Sequence, residues 1–207
     1  MRVLFPFLSA CASFATPAFA GSLVVQVQQG SKGIADAVVT LHAAGRSMPP
    51  RPAGPYVIEQ KNIQFHPFVL VVPAGADVFF PNLDVVRHHV YSFSPAKRFE
   101  LKLYAKDQSR SVHFDQPGII ALGCNIHDSM SAFIFVTDTT WTAKTDKNGR
   151  AVLSGLPADT YTMSVWHPYL RAPGNQLSSS VALTAADRRE TVNVALRAAP
   201  MHDMSGY

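Results

Sequence analysis

Residues 123–130 read GCNIHDSM and set a thiol, an imidazole and a thioether at Cys124, His127 and Met130, three residues apart each. Thiolate and imidazole are strong donors to a transition metal, and a thioether is a weak one. The spacing suits one loop wrapping three sides of an ion. Upstream, FPNLDVVRHHVYSF (80–93) carries His88 and His89 on a stretch of strand character. An imidazole from that strand would close the fourth side and tie the loop to a sheet. Two imidazoles and a thiolate with a weak axial thioether make a type 1 copper donor set. Zinc fits less well, because its closed tetrahedral sites are built from Cys and His and a thioether is a poor member.

The thiol needs an account for a second reason. The chain starts MRVLFPFLSACASFATPAFA, with one positive charge at Arg2, an apolar run and a small-x-small step at Ala18-Phe19-Ala20. Residues 1–20 therefore read as a secretory signal peptide, too short to span a membrane, and the expected location is the periplasm. An alternative export route treats Leu8-Ser9-Ala10-Cys11 as a lipoprotein site with Cys11 lipidated. Cleavage after Ala20 leaves 187 residues, lowers the formal net charge from +4 to +3, and leaves Cys124 as the single cysteine. In an oxidising compartment such a thiol is either buried and inert or held as a thiolate by a metal. No later apolar run is long enough to cross a bilayer.

The rest of the chain reads as all-β. Charged residues are only 15% and prolines number 15. Short alternating runs lie between Gly, Pro and Asp/Asn clusters, and none has helical periodicity. Strands are expected at 22–28, 36–42, 56–60, 68–73, 77–82, 87–93, 98–104, 110–114, 118–123 and 131–138. A further block follows at 145–168 and 180–197. Residues 43–55, with four prolines and two glycines, read as a linker. The DKNG stretch at 146–149 reads as a hairpin turn in which Asn148 and Gly149 take positive φ. Residues 198–207 read as a flexible tail.

Residues 56–138 resemble a cupredoxin of the plastocyanin and amicyanin kind. IEQKNIQFHPFVLVVPAGADVFFPNLD (58–84) carries the family's Phe-x-Pro step, Pro-x-Gly turn and Phe-x-Asn-x-Asp segment. CNIHDSM (124–130) has the short Cys-x2-His-x2-Met loop of amicyanin. The resemblance implies a Greek-key β-sandwich that binds copper through His88, Cys124, His127 and Met130. His88 falls on the ligand of the family's His-Asn-Val sequence, and His89 replaces the asparagine that braces the copper loop. His89 and Asn82 are accordingly placed behind the ligands. Gly123 stands where many relatives have an aromatic residue. More narrowly, the chain resembles the cupredoxin-like group labelled methylamine-utilisation proteins.

The implied function is outer-sphere electron transfer, cycling Cu(II) and Cu(I), with the His127 edge as the port and no catalysis. The implied partner is a redox protein such as a cytochrome or dehydrogenase. Lys97, Arg98, Lys102, Lys106 and Arg110 against Glu100 and Asp107 would steer an acidic one, or else form an ordinary solvated face. Nucleic acid is excluded as a partner by the export signal and the lack of an interleaved basic and aromatic groove. Two other functions fit the residues: a non-redox module binding a glycan or cell-envelope partner, and a periplasmic copper-delivery or buffering protein. His66, His113, His167 and His202 have no ligand-like pairing.

The flanking blocks resemble the carboxypeptidase-regulatory-like, or transthyretin-like, sandwich. LVVQVQQGSKGIADAVVTL (23–41) matches its opening, and AKTDKNGRAVLSGLPADTYTMSVW (143–166) its later half. The resemblance implies a second small β-sandwich, discontinuous over 21–50 plus 139–197, with Trp166 in its core. The competing arrangement has the N-terminal strands extending the copper-binding sandwich.

Overall fold

The computed structural model describes residues 21–45 and 49–199. The expected signal at 1–20, with Cys11, and the tail beyond Ala199, with His202, lie outside the described residues. The described residues are all-β apart from one 3-10 turn at Pro173–Asn175. No helix among the described residues is long and apolar enough to cross a membrane.

Strands β1 (Gly21–Gln29), β2 (Lys32–Gly33) and β3 (Val38–Ala43) come first. The central strands are β4 (Tyr56–Val57), β5 (Glu59–Lys61), β6 (Gln64–His66), β7 (Val69–Pro73), β8 (Ala76–Pro81), β9 (His88–Ser94), β10 (Lys97–Tyr104), β11 (Ser109–Phe114), β12 (Gly118–Cys124) and β13 (Ser131–Thr137). The last are β14 (Thr142–Lys144), β15 (Arg150–Leu156), β16 (Asp159–Trp166), β17 (Gln176–Leu183) and β18 (Arg188–Asn193). Period-two burial makes them strands: Leu23, Val25 and Val27 point inward along β1, and Ala76, Val78 and Phe80 along β8.

The central strands form a sandwich. One sheet has the order β10-β9-β12-β13-β7, with β13 and β7 parallel, and the facing sheet is β11-β8-β4. Its core is drawn from residues 58–136 and includes Phe80, Val90, Tyr104, Phe114 and Ile134. Strands from the two ends of the chain pair with each other: β15-β1-β18, with β2 on β1, forms one sheet and β14-β3-β16-β17 another. Their shared core comes only from residues 23–43 and 141–194.

Three details differ from expectation. The single strand expected at 56–60 is two, because β4 pairs with β8 while β5 turns away to pair with β6, pivoting on the fully buried Ile58. The DKNG turn is a corner between sheets, not a hairpin: β14 pairs with β3 and β15 with β1. Gly149 has φ +78 while Asn148 has no positive φ. An added Cβ at Gly149 would lie 2.3 Å from the Val27 carbonyl oxygen, so close packing as well as φ requires glycine. Finally, Trp166 is not in the second core. It is 2% exposed in a seam between the sandwiches, where its ring meets Phe133 at 5.9 Å and Phe135 at 5.6 Å.

Candidate metal centre

Strand β9 delivers His88 to the interior because His88, Val90 and Ser92 share its buried face. Cys124 closes β12, which lies beside β9 with Cys124 opposite Val90. The chain then turns through 125–130, with the Met130 N–H donating to the His127 carbonyl at 3.0 Å. His88 Nδ1 stands 3.8 Å from Cys124 Sγ, and His127 Nδ1 stands 3.6 Å from it. The imidazole rings are 5.0 Å apart. One donor atom from each of His88, Cys124 and His127 lies within 4.8 Å of the others, and all three residues are buried. Met130 is 2% exposed and belongs to the same core cluster as Cys124.

These separations match one ion bonded to nitrogen and sulfur at about 2.0–2.3 Å. The electrostatics favour a metal as well. Burial opposes ionisation of Cys124, but hydrogen bonds from His88, from the backbone N–H groups of His89 and Ile126, and from His127 bring the thiol down to about 6. Burial works to lower His88, and its hydrogen bonds to the Cys124 sulfur and to Asp84 outweigh that and raise it. The site thus stabilises a thiolate beside imidazole nitrogens. The donor set fits copper: imidazole and thiolate as strong ligands, with a thioether within the same buried cluster.

Asp84 is a functional residue the sequence reading missed. Its carboxylate lies 2.8 Å from His88 Nε2 and can only accept, so Nε2 carries the proton and Nδ1 is turned toward the sulfur. The carboxylate is itself fixed by the N–H groups of Asn62 (2.5 Å) and Ile63 (3.0 Å), at the tip of the β5–β6 hairpin. Both tip residues hold positive φ, 56° and 54°, so the hairpin turns tightly enough to point two N–H groups at one carboxylate. These bonds and the His88 contact hold Asp84 below the usual carboxylate range against the opposing effect of burial. The Asn-x-Asp spacing was visible in sequence, but the pairing of Asp84 with Asn62 and Ile63, 22 and 21 residues upstream, was not.

Asn82, fully buried, organises the same loop. Its Oδ1 accepts from the Asp84 N–H at 2.9 Å, and its Nδ2 donates to the carbonyls of Val86 (2.8 Å) and Tyr104 (3.1 Å). His89 points the other way along the strand, and its ring pairs with Glu100 on β10 at 2.8 Å. Its backbone serves the loop after β12 instead: the His89 carbonyl accepts from the Asn125 N–H at 3.1 Å. At Gly123 the neighbouring Tyr91 ring occupies the space a side chain would fill, 2.8 Å from the position of an added Cβ. Among the other histidines, His113 pairs with Asp77 at 3.0 Å, and His167 Nδ1 accepts from the Tyr169 N–H at 3.2 Å. Lys97 pairs with Asp115 at 3.3 Å, and Arg110 lies over the Tyr104 ring at 5.5 Å.

No protein-family model and no curated protein sequence matches the chain. Solved structures do. A Cu-containing nitrite reductase (NirK) from Thermus scotoductus SA-01 matches at 23% identity and TM-score 0.39, over 44% of this chain; this chain spans 25% of that one. A purple cupredoxin from Nitrosopumilus maritimus matches at 19% identity and TM-score 0.37, over 40% of this chain and all of the other. Amicyanin from Paracoccus versutus matches at 18% identity and TM-score 0.38, over 47% of this chain and 98% of the other. In each case the shared part is less than half of this chain.

Proposed function

We propose that this chain is a periplasmic type 1 copper protein of the cupredoxin kind that carries single electrons and is not an enzyme. The observation that carries the proposal is the buried trio of His88 Nδ1, Cys124 Sγ and His127 Nδ1 within 4.8 Å. Met130 is read as the weak axial donor. Bound there, copper supplies a one-electron couple between Cu(II) and Cu(I). The chain supplies rigidity: His88 is locked by Asp84, Cys124 is anchored on a central strand, and backbone N–H groups of His89 and Ile126 hold the sulfur. Ligands fixed this firmly move little between oxidation states.

His127, 7% exposed, is the edge through which the electron passes. The two loops that carry the site expose Leu83, Val85, Val86 and Ile126, an apolar surface for a redox partner such as a cytochrome or dehydrogenase. Lys102, near the His88 end of β10, would steer an acidic partner to this end of the molecule. The sandwich over 21–50 plus 139–197 is read as a carboxypeptidase-regulatory-like scaffold that adds a cell-envelope or glycan contact.

Repeated oxidation and reduction in the presence of a copper chelator separates carrying from delivery. A carrier retains its copper through every cycle. Loss of copper to the chelator on each reduction would assign the chain to copper delivery or buffering instead.

A further inference from the structure

An edge strand presents unpaired N–H and C=O groups that can take up another strand, and charge, proline or a bulge is the usual protection. Among the described edge strands of five or more residues, β10, β11, β15 and β18 each carry arginine, and β7 ends on Pro73. Strand β17 reads QLSSSVAL, with neither charge nor proline, and pairs with β16 over all eight residues without a register shift. Its other side is an edge. The His167 N–H donates to the Asn175 carbonyl at 3.1 Å, one step beyond the Trp166 and Gln176 pair. Bonded pairs alternate in an antiparallel ladder, so Leu177, Ser179 and Val181 turn their backbone groups to β16. Gln176, Ser178, Ser180 and Ala182 turn theirs to the edge. The Gln176 N–H donates to the Pro173 carbonyl, and the Ala182 carbonyl accepts from Arg188 at 2.6 Å. Between them the backbone groups of Ser178 and Ser180 have no hydrogen-bond partner among the described residues, and both residues are exposed.

We propose that β17 is a homodimer interface, pairing antiparallel with β17 of a second copy about a two-fold axis at Ser179. The strand is complementary to itself in that register, as a two-fold interface requires. Ser178 falls opposite Ser180 of the second copy, so the free edge groups form two reciprocal pairs of backbone hydrogen bonds. Leu177, 38% exposed, falls opposite Val181 of the second copy on the face that holds the core. No like charges meet along the strand. The two four-stranded sheets join into one, and the interface is independent of copper.

The test is sedimentation velocity on the full chain over a concentration series. A monomer–dimer equilibrium is expected, weakened at least about tenfold by Ser178→Pro, which removes one edge N–H from each copy. That N–H takes no part in the ladder to β16, so the fold keeps its pairing. Mild oxidation of two cysteine variants reads the register. Ser179→Cys places each thiol opposite its mate in a non-hydrogen-bonded pair, with Cα atoms about 4.5 Å apart, within reach of a disulfide. Covalent dimer is expected there and not in Ser178→Cys, whose mates are offset along the strands. The unmodified chain, whose Cys124 is buried, sets the background. A monomer at every concentration, a dimer indifferent to Ser178→Pro, or equal cross-linking of the two cysteine variants would overturn the proposal. So would a dimer that forms only after residues 200–207 are removed, since the chain itself would then occupy the edge.

Discussion

Cys124 and His88 share their protons in the metal-free protein, and that sets how the site responds to pH. Burial opposes ionisation of the thiol, but its hydrogen bonds bring it down to about 6, and hydrogen bonds to the sulfur and to Asp84 raise His88 against the effect of burial. Copper needs a thiolate and a neutral imidazole, and both are lost as pH falls. Apparent Cu(II) affinity should therefore fall as pH drops, most steeply below about pH 6, where the thiol must also be deprotonated. Competition titrations against a chelator of known pH behaviour measure this directly. Asp84 is the second lever at this scale. Asp84→Asn keeps the shape and removes the negative charge that strengthens His88 as a donor. Cu(II) affinity should fall about 10–100-fold, and the reduction potential should rise because Cu(II) is stabilised less. An unchanged potential would show that Asp84 serves the fold alone.

At the scale of elements, the loop between β8 and β9 links the hairpin tip to the metal centre. Asn82 satisfies the Asp84 N–H and two carbonyls with one buried amide. Asn82→Ala should destabilise the metal-free protein by about 3 kcal/mol in urea denaturation, because buried groups lose their partners. It should also weaken copper binding, since Asp84 loses its register against His88. Much of this level was legible in sequence. Alternation in "SLVVQVQ" and "DVFFPN" marks strands with one buried face, and the Cys124, His127 and Met130 spacing marks a loop between two of them. Long-range pairing was not legible. The β5–β6 tip meets Asp84, Tyr91 covers Gly123, and residues 146–149 switch sheets, all through tertiary contacts that leave no local pattern. The adjacent His88 and His89 were ambiguous because apolar residues flank them on both faces. Burial of Val90 and Ser92 on the side of His88 is what separates them.

Across the whole molecule, two cores meet at a seam of Trp166, Val38 and Val69 with Phe68, Phe133 and Phe135 packed around them. Lys144 crosses it, its Nζ donating to the Val69 carbonyl at 2.8 Å and pairing with Asp36 at 2.7 Å. Trp166→Ala should cost about 3–5 kcal/mol and split a single calorimetric transition into two, one for each core. A variant that still unfolds in one step would show that the strand connections couple the cores without the seam. The proposed electron carrier requires copper held by His88, Cys124 and His127. Its most direct test is the visible and electron paramagnetic resonance spectrum of the full chain titrated with Cu(II). One equivalent should give an intense thiolate-to-copper absorption and a narrow copper hyperfine splitting, both lost in Cys124→Ser. A colourless protein that takes up zinc but not copper would contradict it.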